Sequence, residues 1–183
     1  FLKIYAYAIR NCVGEAINPI TGQLWCSTNE RDQLGNNLVP DYITHIQEGG
    51  FYGWPWYYMG GHQDPRLAGK HPELKSKVIT PDVLLQPHFA SLEMTFYNGK
   101  QFPASYDGDA FAAEHGSWNK AKRAGYEVIR IPMHDGHATG EYEDFLTGFV
   151  TPDGKVWGRP VGVAVAKDGS LFVSDDGTRS IWH

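Results

Sequence analysis

The 183-residue chain is 42% hydrophobic and 20% charged, with no low-complexity run, the balance of a folded domain large enough for a real core. A net charge of −5 argues against nucleic acid or an anionic membrane surface as the main partner, and no apolar stretch is long enough to span a bilayer. The eight histidines are scattered and there is no CxxC or HExxH, so spacing offers no zinc site.

In chain order the elements read mostly as strands. "LKIYAYAI" (2–9) opens the chain strand-like, without Met or signal peptide, and "SIWH" closes it in mid-strand, so both ends look cut from something longer. "VGEAI" (13–17) and "QLWCST" (23–28) carry β-branched or aromatic residues, and "NPITG" between them reads as a hairpin turn. Cys12 and Cys26 read as buried small hydrophobes, with a disulfide between neighbouring strands as the alternative. "VPDYITHIQ" (39–47) suggests a helical turn at most.

Next comes "EGGFYGWPWYYMGG" (48–61), six aromatic rings in fourteen positions with a glycine pair at each end. Each glycine costs a helix about 1 kcal/mol and Pro55 about 3 kcal/mol, so the segment predicts a tight corner plugged by rings. Strand signals resume at "SLEMTFY" (91–97), "AFAAEHG" (110–116), "YEVIRIPM" (126–133), "VGVAVA" (161–166) and "SLFVSDD" (170–176), punctuated by "NGK", "HDGH" and "KDG".

A repeat underlies these strands. "RNCVGEAINPITGQLWCSTNERD" aligns with "RPVGVAVAKDGSLFVSDDGTR", Gly14 answering Gly162 and "LWCS" answering "LFVS". "SLEMTFYNGKQFP" with "AFAAEHGSW" is a looser middle copy. Units of about 50 residues made of short antiparallel strands predict an all-β fold of propeller blades around a channel. About three blades fit residues 1–183 as one partial propeller domain. Three do not close a ring, so the remaining half is expected from further chain or from a second copy.

With that architecture, several stretches together resemble the sorbosone/glucose dehydrogenase family of soluble quinoproteins. They are "YAYAIRNCVG", "LWCSTNERDQLGNNLVPDYI", "EGGFYGWP", "AAEHGSWN", "YEDFLTGFV" and "WGRPVGVAVAKDGSLFVSDD", a match running from Tyr5 to the end. The resemblance implies a six-bladed propeller, of which this chain is the C-terminal half, using pyrroloquinoline quinone and Ca2+. It implies hydride transfer from a sugar or aldehyde hydrate to the quinone, and an external electron acceptor. It also implies export to the periplasm or beyond, and a blade corner at "GGFYGWP" in which Trp54 and Pro55 lock the turn.

A flat, three-carboxylate quinone needs cations, amide donors and a divalent metal. The resemblance places the family's cofactor-binding Arg-Asn pair on Arg10 and Asn11, whose residue types alone would also suit a capping ion pair at a strand end. The loop from Asn29 to Tyr42 is rich in oxygen donors, Glu30, Asp32, Asn36, Asn37 and Asp41 among them, as calcium requires and as a polar surface loop also is. The family's calcium-binding carbonyls belong to a Gly-Pro pair that aligns here with Glu30 and Arg31, so that pair is absent. Arg159 matches one of two family arginines, and Val161 stands at the other position. The missing cation is expected from Lys120, Lys122 or Arg123, unless these form a solvated basic turn. His88 and His115 sit beside strand starts, and Trp118 offers a stacking face or a core ring.

The family's general base lies on an earlier blade, so no catalytic base is assigned here, and the 183-residue piece alone is expected to show little turnover. Two other readings compete: a calcium-dependent propeller lactonase, and a non-catalytic propeller that binds a protein or glycan.

Overall fold

The computed structural model describes residues 1–183 and is all-β. β1 (Cys12–Ile17), β2 (Leu24–Thr28) and β3 (Pro40–His45) begin the first antiparallel sheet, a two-residue hairpin of β4 (Tyr57–Tyr58) and β5 (His62–Gln63) follows, and β6 (Val83–Pro87) completes that sheet beside β3. The second sheet holds β7 (Ser91–Phe96), β8 (Ala110–Glu114) and β9 (Glu127–Ile131). After a small hairpin of β10 (Met133–His134) and β11 (His137–Ala138), β12 (Glu143–Leu146) joins it beside β9. A third sheet runs β13 (Pro160–Val165), β14 (Leu171–Asp175), β15 (Ser180–Trp182). In each sheet the strand first in sequence lies innermost, and β7 packs between β1 and β13. The result is an open arc of three propeller blades.

Period-two alternation builds the two cores between blades. Ala110, Ala112, Ile129 and Ile131 face the first blade and join Trp25, Ile43, Val83 and Met94. Their neighbours Phe111, Ala113 and Val128 face the third blade and join Tyr97, Val163 and Val173. Phe111, fully buried, meets Phe145 edge-on at 4.7 Å, and truncating it to alanine would cost about 3–5 kcal/mol.

The repeat glycines have a packing reason. Gly14 and Gly162 each follow a register break in the innermost strand, opposite Ser27 and Ser174 respectively. A Cβ on Gly14 would stand 2.3 Å from the Leu92 carbonyl and 2.7 Å from Glu93 Cα; one on Gly162 would stand 2.3 Å from the Glu93 carboxylate. At Gly14 the inner strand therefore approaches the β7 main chain too closely for a side chain, whereas at Gly162 the space is taken by the Glu93 carboxylate and the Ser174 hydroxyl.

Four local readings are corrected. Residues 2–9 form no strand: Ala8 has φ +61°, and the segment only docks along the corner through Tyr7 N–H to Gly50 O (3.0 Å) and Trp54 N–H to Ala8 O (2.8 Å). Residues 40–45 are β3 and not a helical turn, because β2 and β6 supply ladder partners on both sides. Cys12 and Cys26 are joined as a disulfide, since the break between Cys12 and Gly14 brings their Cα atoms to 5.8 Å. β6 and β12 had no strand signal strong enough to single out.

The corner at 48–61 is as expected. Phe51, Tyr52, Tyr57 and Tyr58 are buried, Gly53 has φ +102°, and Trp54–Pro55 is a cis peptide. No helix is long and apolar enough to cross a membrane.

Candidate functional site

Strand polarity gathers the irregular loops at one end of the blades. β1, β3 and β7 start there, and β2, β6 and β8 end there, so the approach to β1, the β2–β3 loop, the β6–β7 turn and the loop after β8 meet. They enclose a cleft of about 260 Å³ lined by Arg10, Asn11, Asn29 to Asp32, Asp41, His88, Ala90, Trp118 and Asn119. Of the residues singled out in the sequence, this brings together Arg10, Asn11, Glu30, Arg31, Asp32, Asp41, His88 and Trp118.

One side of the cleft offers donors. The Arg10 guanidinium and the Asn11 amide make no hydrogen bond or ion pair within the chain, so the capping pair does not form and their donors are free. Trp118 is 75% exposed at the rim, not a core ring, so its face is open to a planar partner.

The other side offers oxygens. Glu30 and Arg31 lie in irregular backbone, and neither main-chain carbonyl accepts a hydrogen bond. Asp32 Oδ1 accepts from Asn119 Nδ2 at 3.0 Å and lies 3.5 Å from His88 Nδ1, while His88 Nε2 meets the Gly35 carbonyl at 2.8 Å. Asn119 Oδ1 is buried without any partner. A buried, unsatisfied amide oxygen beside a carboxylate and free carbonyls suits a hard cation. The residues present thus fit both a carboxylate-bearing planar anion and a calcium-like ion, although the aligned Gly-Pro is missing.

Asp41 anchors the cleft floor. Its Oδ1 accepts from Glu30 N–H (2.7 Å) and its Oδ2 from Ala90 N–H (2.8 Å), tying the β2–β3 loop to the β6–β7 turn. Burial pushes this carboxyl up to about 7, and the two amide hydrogen bonds only partly oppose that. The loop after β8 is tied over the cleft in turn by Asn119 to Asp32 and by Ala121 N–H to Asn36 Oδ1 (3.0 Å). Asp41 was legible only as one oxygen in a polar loop, and Asn119 only as the residue after Trp118.

His115 and Arg159 do not line this cleft. They meet each other at the mouth between the second and third blades, Arg159 Nη2 lying 3.0 Å from His115 Nδ1. Arginine cannot accept, so Nδ1 carries the lone pair and Nε2–H donates to Asp176 Oδ1 at 2.9 Å. His115 and Trp118 share the loop after β8, which links the two mouths. Lys120 points elsewhere: its ammonium donates to the Pro87 carbonyl (3.1 Å), in a separate depression with Lys122, Arg123, Glu127 and Asp144. Burial holds Lys120 below the usual lysine range. Lys120, Lys122 and Arg123 therefore do not line the cleft.

Comparison with known proteins adds an independent line. A family model described as TrAA12-like matches residues 68–183. An uncharacterised protein of Borreliella burgdorferi is 34% identical over 183 residues, covering 99% of this chain and 48% of its own length. The pyrroloquinoline quinone-dependent pyranose dehydrogenase of Coprinopsis cinerea is 32% identical over 120 residues, 55% of this chain and 16% of that protein. The solved holo form of its quinone domain superposes with a TM-score of 0.76 at 24% identity, covering 96% of this chain and 54% of that one. A Trichoderma reesei protein of Carbohydrate-Active Enzymes Family AA12, solved with calcium, superposes at 0.79 with 21% identity, over 96% of this chain and 52% of that one. At these identities the structural likeness is one of fold. The chain spans about half the length of the relatives it matches most fully.

Proposed function

The chain belongs to the TrAA12-like family, and on that premise we propose that the protein is a quinoprotein oxidoreductase acting on a sugar or a related alcohol or aldehyde hydrate. The observation that carries this reading is the pairing of opposite chemistries in one cleft: the free guanidinium of Arg10 beside the unbonded carbonyls of Glu30 and Arg31 and the unpartnered Asn119 amide oxygen. When bound, calcium-associated pyrroloquinoline quinone would supply a hydride acceptor, passing electrons to an external acceptor.

The chain's own residues would hold the group and not perform the proton transfer. Arg10 donates a forked pair of N–H groups to a carboxylate, and Asn11 adds an amide donor. Glu30 and Arg31, through their carbonyls, and Asp32, through its carboxylate, hold the cation. Trp118 covers a planar face. Arg159, held by His115, would add a second positive charge from the neighbouring mouth, between the second and third blades. The acid–base group lies outside these residues, so the 183-residue chain alone is expected to turn over little.

The faces left open by the first and third blades are proposed to take the remaining blades of the ring, from further chain or from a second copy. The Cys12–Cys26 disulfide supports an oxidising compartment, periplasmic or extracellular. The test is titration of the protein, in its longest form, with pyrroloquinoline quinone with and without calcium, read by quinone absorbance and sugar-dependent dye reduction. Calcium-dependent binding supports the oxidoreductase; no binding favours a non-catalytic propeller.

A further inference from the structure

The aromatic, glycine-rich corner at 48–61 encloses one side chain. The Arg31 side chain is 1% exposed, and its donors are used in every direction. Nε bonds Glu30 Oε2 at 2.9 Å, Nη1 bonds Asp64 Oδ2 at 3.1 Å and the Pro55 carbonyl at 2.8 Å, and Nη2 bonds the Tyr57 carbonyl at 2.6 Å. The guanidinium carbon lies 4.9 Å from the Trp54 ring centroid and 5.3 Å from that of Tyr58. A lysine, one ammonium on a flexible stem, cannot satisfy these acceptors together.

This clamp acts on the stretch whose carbonyls face the cleft. Glu30 Oε2 also accepts the Arg31 main-chain N–H at 2.9 Å. In a trans peptide the C=O points opposite to the N–H, so this bond turns the Glu30 carbonyl away from the buried carboxylate. Glu30 N–H is fixed by Asp41, as described above. Asp64 carries the hold one residue further: it pairs with Arg66, whose Nη1 reaches the Asp32 carbonyl at 3.2 Å. Residues 30 and 31 are therefore held from behind by buried ionic groups, Asp41, Arg31 and Asp64, and Asp32 by the half-exposed Arg66.

We infer that the Arg31 side chain, seated in the Trp54–Tyr58 corner and paired with Glu30 and Asp64, is the positioning residue that presents the Glu30 and Arg31 carbonyls to a divalent cation. A side-chain clamp then supplies the stiffness that a Gly-Pro pair would otherwise give the loop. The inference rests on the calcium reading above and concerns how this chain achieves it.

The experiment measures calcium affinity by calorimetry with CaCl2 alone, without quinone or substrate, for the wild-type full-length protein and for Arg31→Lys and Asp64→Asn. Val83→Ala, in the core between blades, serves as a control that loses stability without touching the loop. Groups that orient metal ligands typically change metal affinity by about 10- to 100-fold, and a loss in that range is expected for Arg31→Lys. Asp64→Asn should weaken calcium in the same direction by less, and covers the case in which Arg31→Lys fails to fold. Val83→Ala should lower Tm and leave calcium affinity unchanged. Calcium binding by a folded Arg31→Lys or Asp64→Asn within about twofold of wild type, or an equal loss in Val83→Ala, overturns the inference alone. Wild-type protein that takes no calcium overturns the functional reading, and this inference with it.

Discussion

The two mouths of the arc share a sequence repeat and differ in almost everything else. At the first, β1 begins after Arg10 and Asn11, and eleven residues of irregular loop between β2 and β3 fold into an oxygen-lined cleft. At the second, β13 begins after Arg159, and β14 is followed by a four-residue turn capped by Asp175. The strands and bulge glycines of the two units superimpose as patterns; the site exists only where the loop is long. Inner strands thus supply the frame, and loops at the strand ends supply the chemistry.

The largest expected break in this comparison is in cofactor affinity. Arg10 has no partner within the chain, whereas Arg159 is already engaged with His115. Arg10→Ala should weaken pyrroloquinoline quinone binding about 100-fold, the scale for deleting one side of a charged hydrogen-bonded contact. Arg159→Ala should cost about tenfold by the same measure. Equal losses in a fluorescence titration would mean that the two mouths contribute alike.

Stability separates the repeat glycines next. A methyl at position 14 meets main-chain atoms of Leu92 and Glu93, which cannot move cheaply, so Gly14→Ala should lower unfolding free energy by about 1–3 kcal/mol. At position 162 the nearest obstacle is the end of the Glu93 side chain, which can swing aside, so Gly162→Ala should cost less. Urea denaturation of the two variants reads the difference, and a reversed order would show that the bulges are not packed as described.

The smallest effect is in pH. Burial pushes Asp41 up to about 7, and burial together with the neighbouring Asp144 pushes Glu127 up to about 8. Both sit above the unfolded carboxylate value of about 4, so their contribution is complete below that value and is lost as pH rises through 7 and 8. Asp175 behaves oppositely. Burial pushes it up, but hydrogen bonds from Arg159 N–H, Trp182 Nε1–H and Thr178 outweigh that and hold it at about 2. Its contribution is present above about 4 and disappears only as pH falls toward 2. Hydrogen exchange should therefore show the first two blades loosening as pH rises from about 4 to about 8 while the β14–β15 turn stays protected, and Glu127→Gln should flatten part of that loss. Uniform loosening of both regions would contradict these assignments.

What was legible beforehand follows the same division. Alternation, turn residues and the Gly14–Gly162 repeat gave the strands and the blades, because those depend on local pattern. β3 was missed because Pro40 and Asp41 look like turn residues until β2 and β6 pair on either side. The disulfide stood only as the alternative reading because cysteines fourteen residues apart face each other only through the bulge after Cys12. In the site, residue types pointed to Arg10, Asn11 and the oxygen loop. Asp41, Asn119 and the seat of Arg31 depend on segments 24 to 87 residues away in sequence, which no local pattern encodes. Lys120 was misplaced for the same reason: a basic loop does not say which way it turns.

The measurement that tests the central claim most directly is the titration of the longest form of the protein with pyrroloquinoline quinone, with and without calcium. The account predicts saturable, calcium-dependent quinone binding that Arg10→Ala weakens more than Arg159→Ala. A folded protein that binds no quinone under either condition would contradict it, and the cleft would then belong to a propeller that binds something other than a redox cofactor.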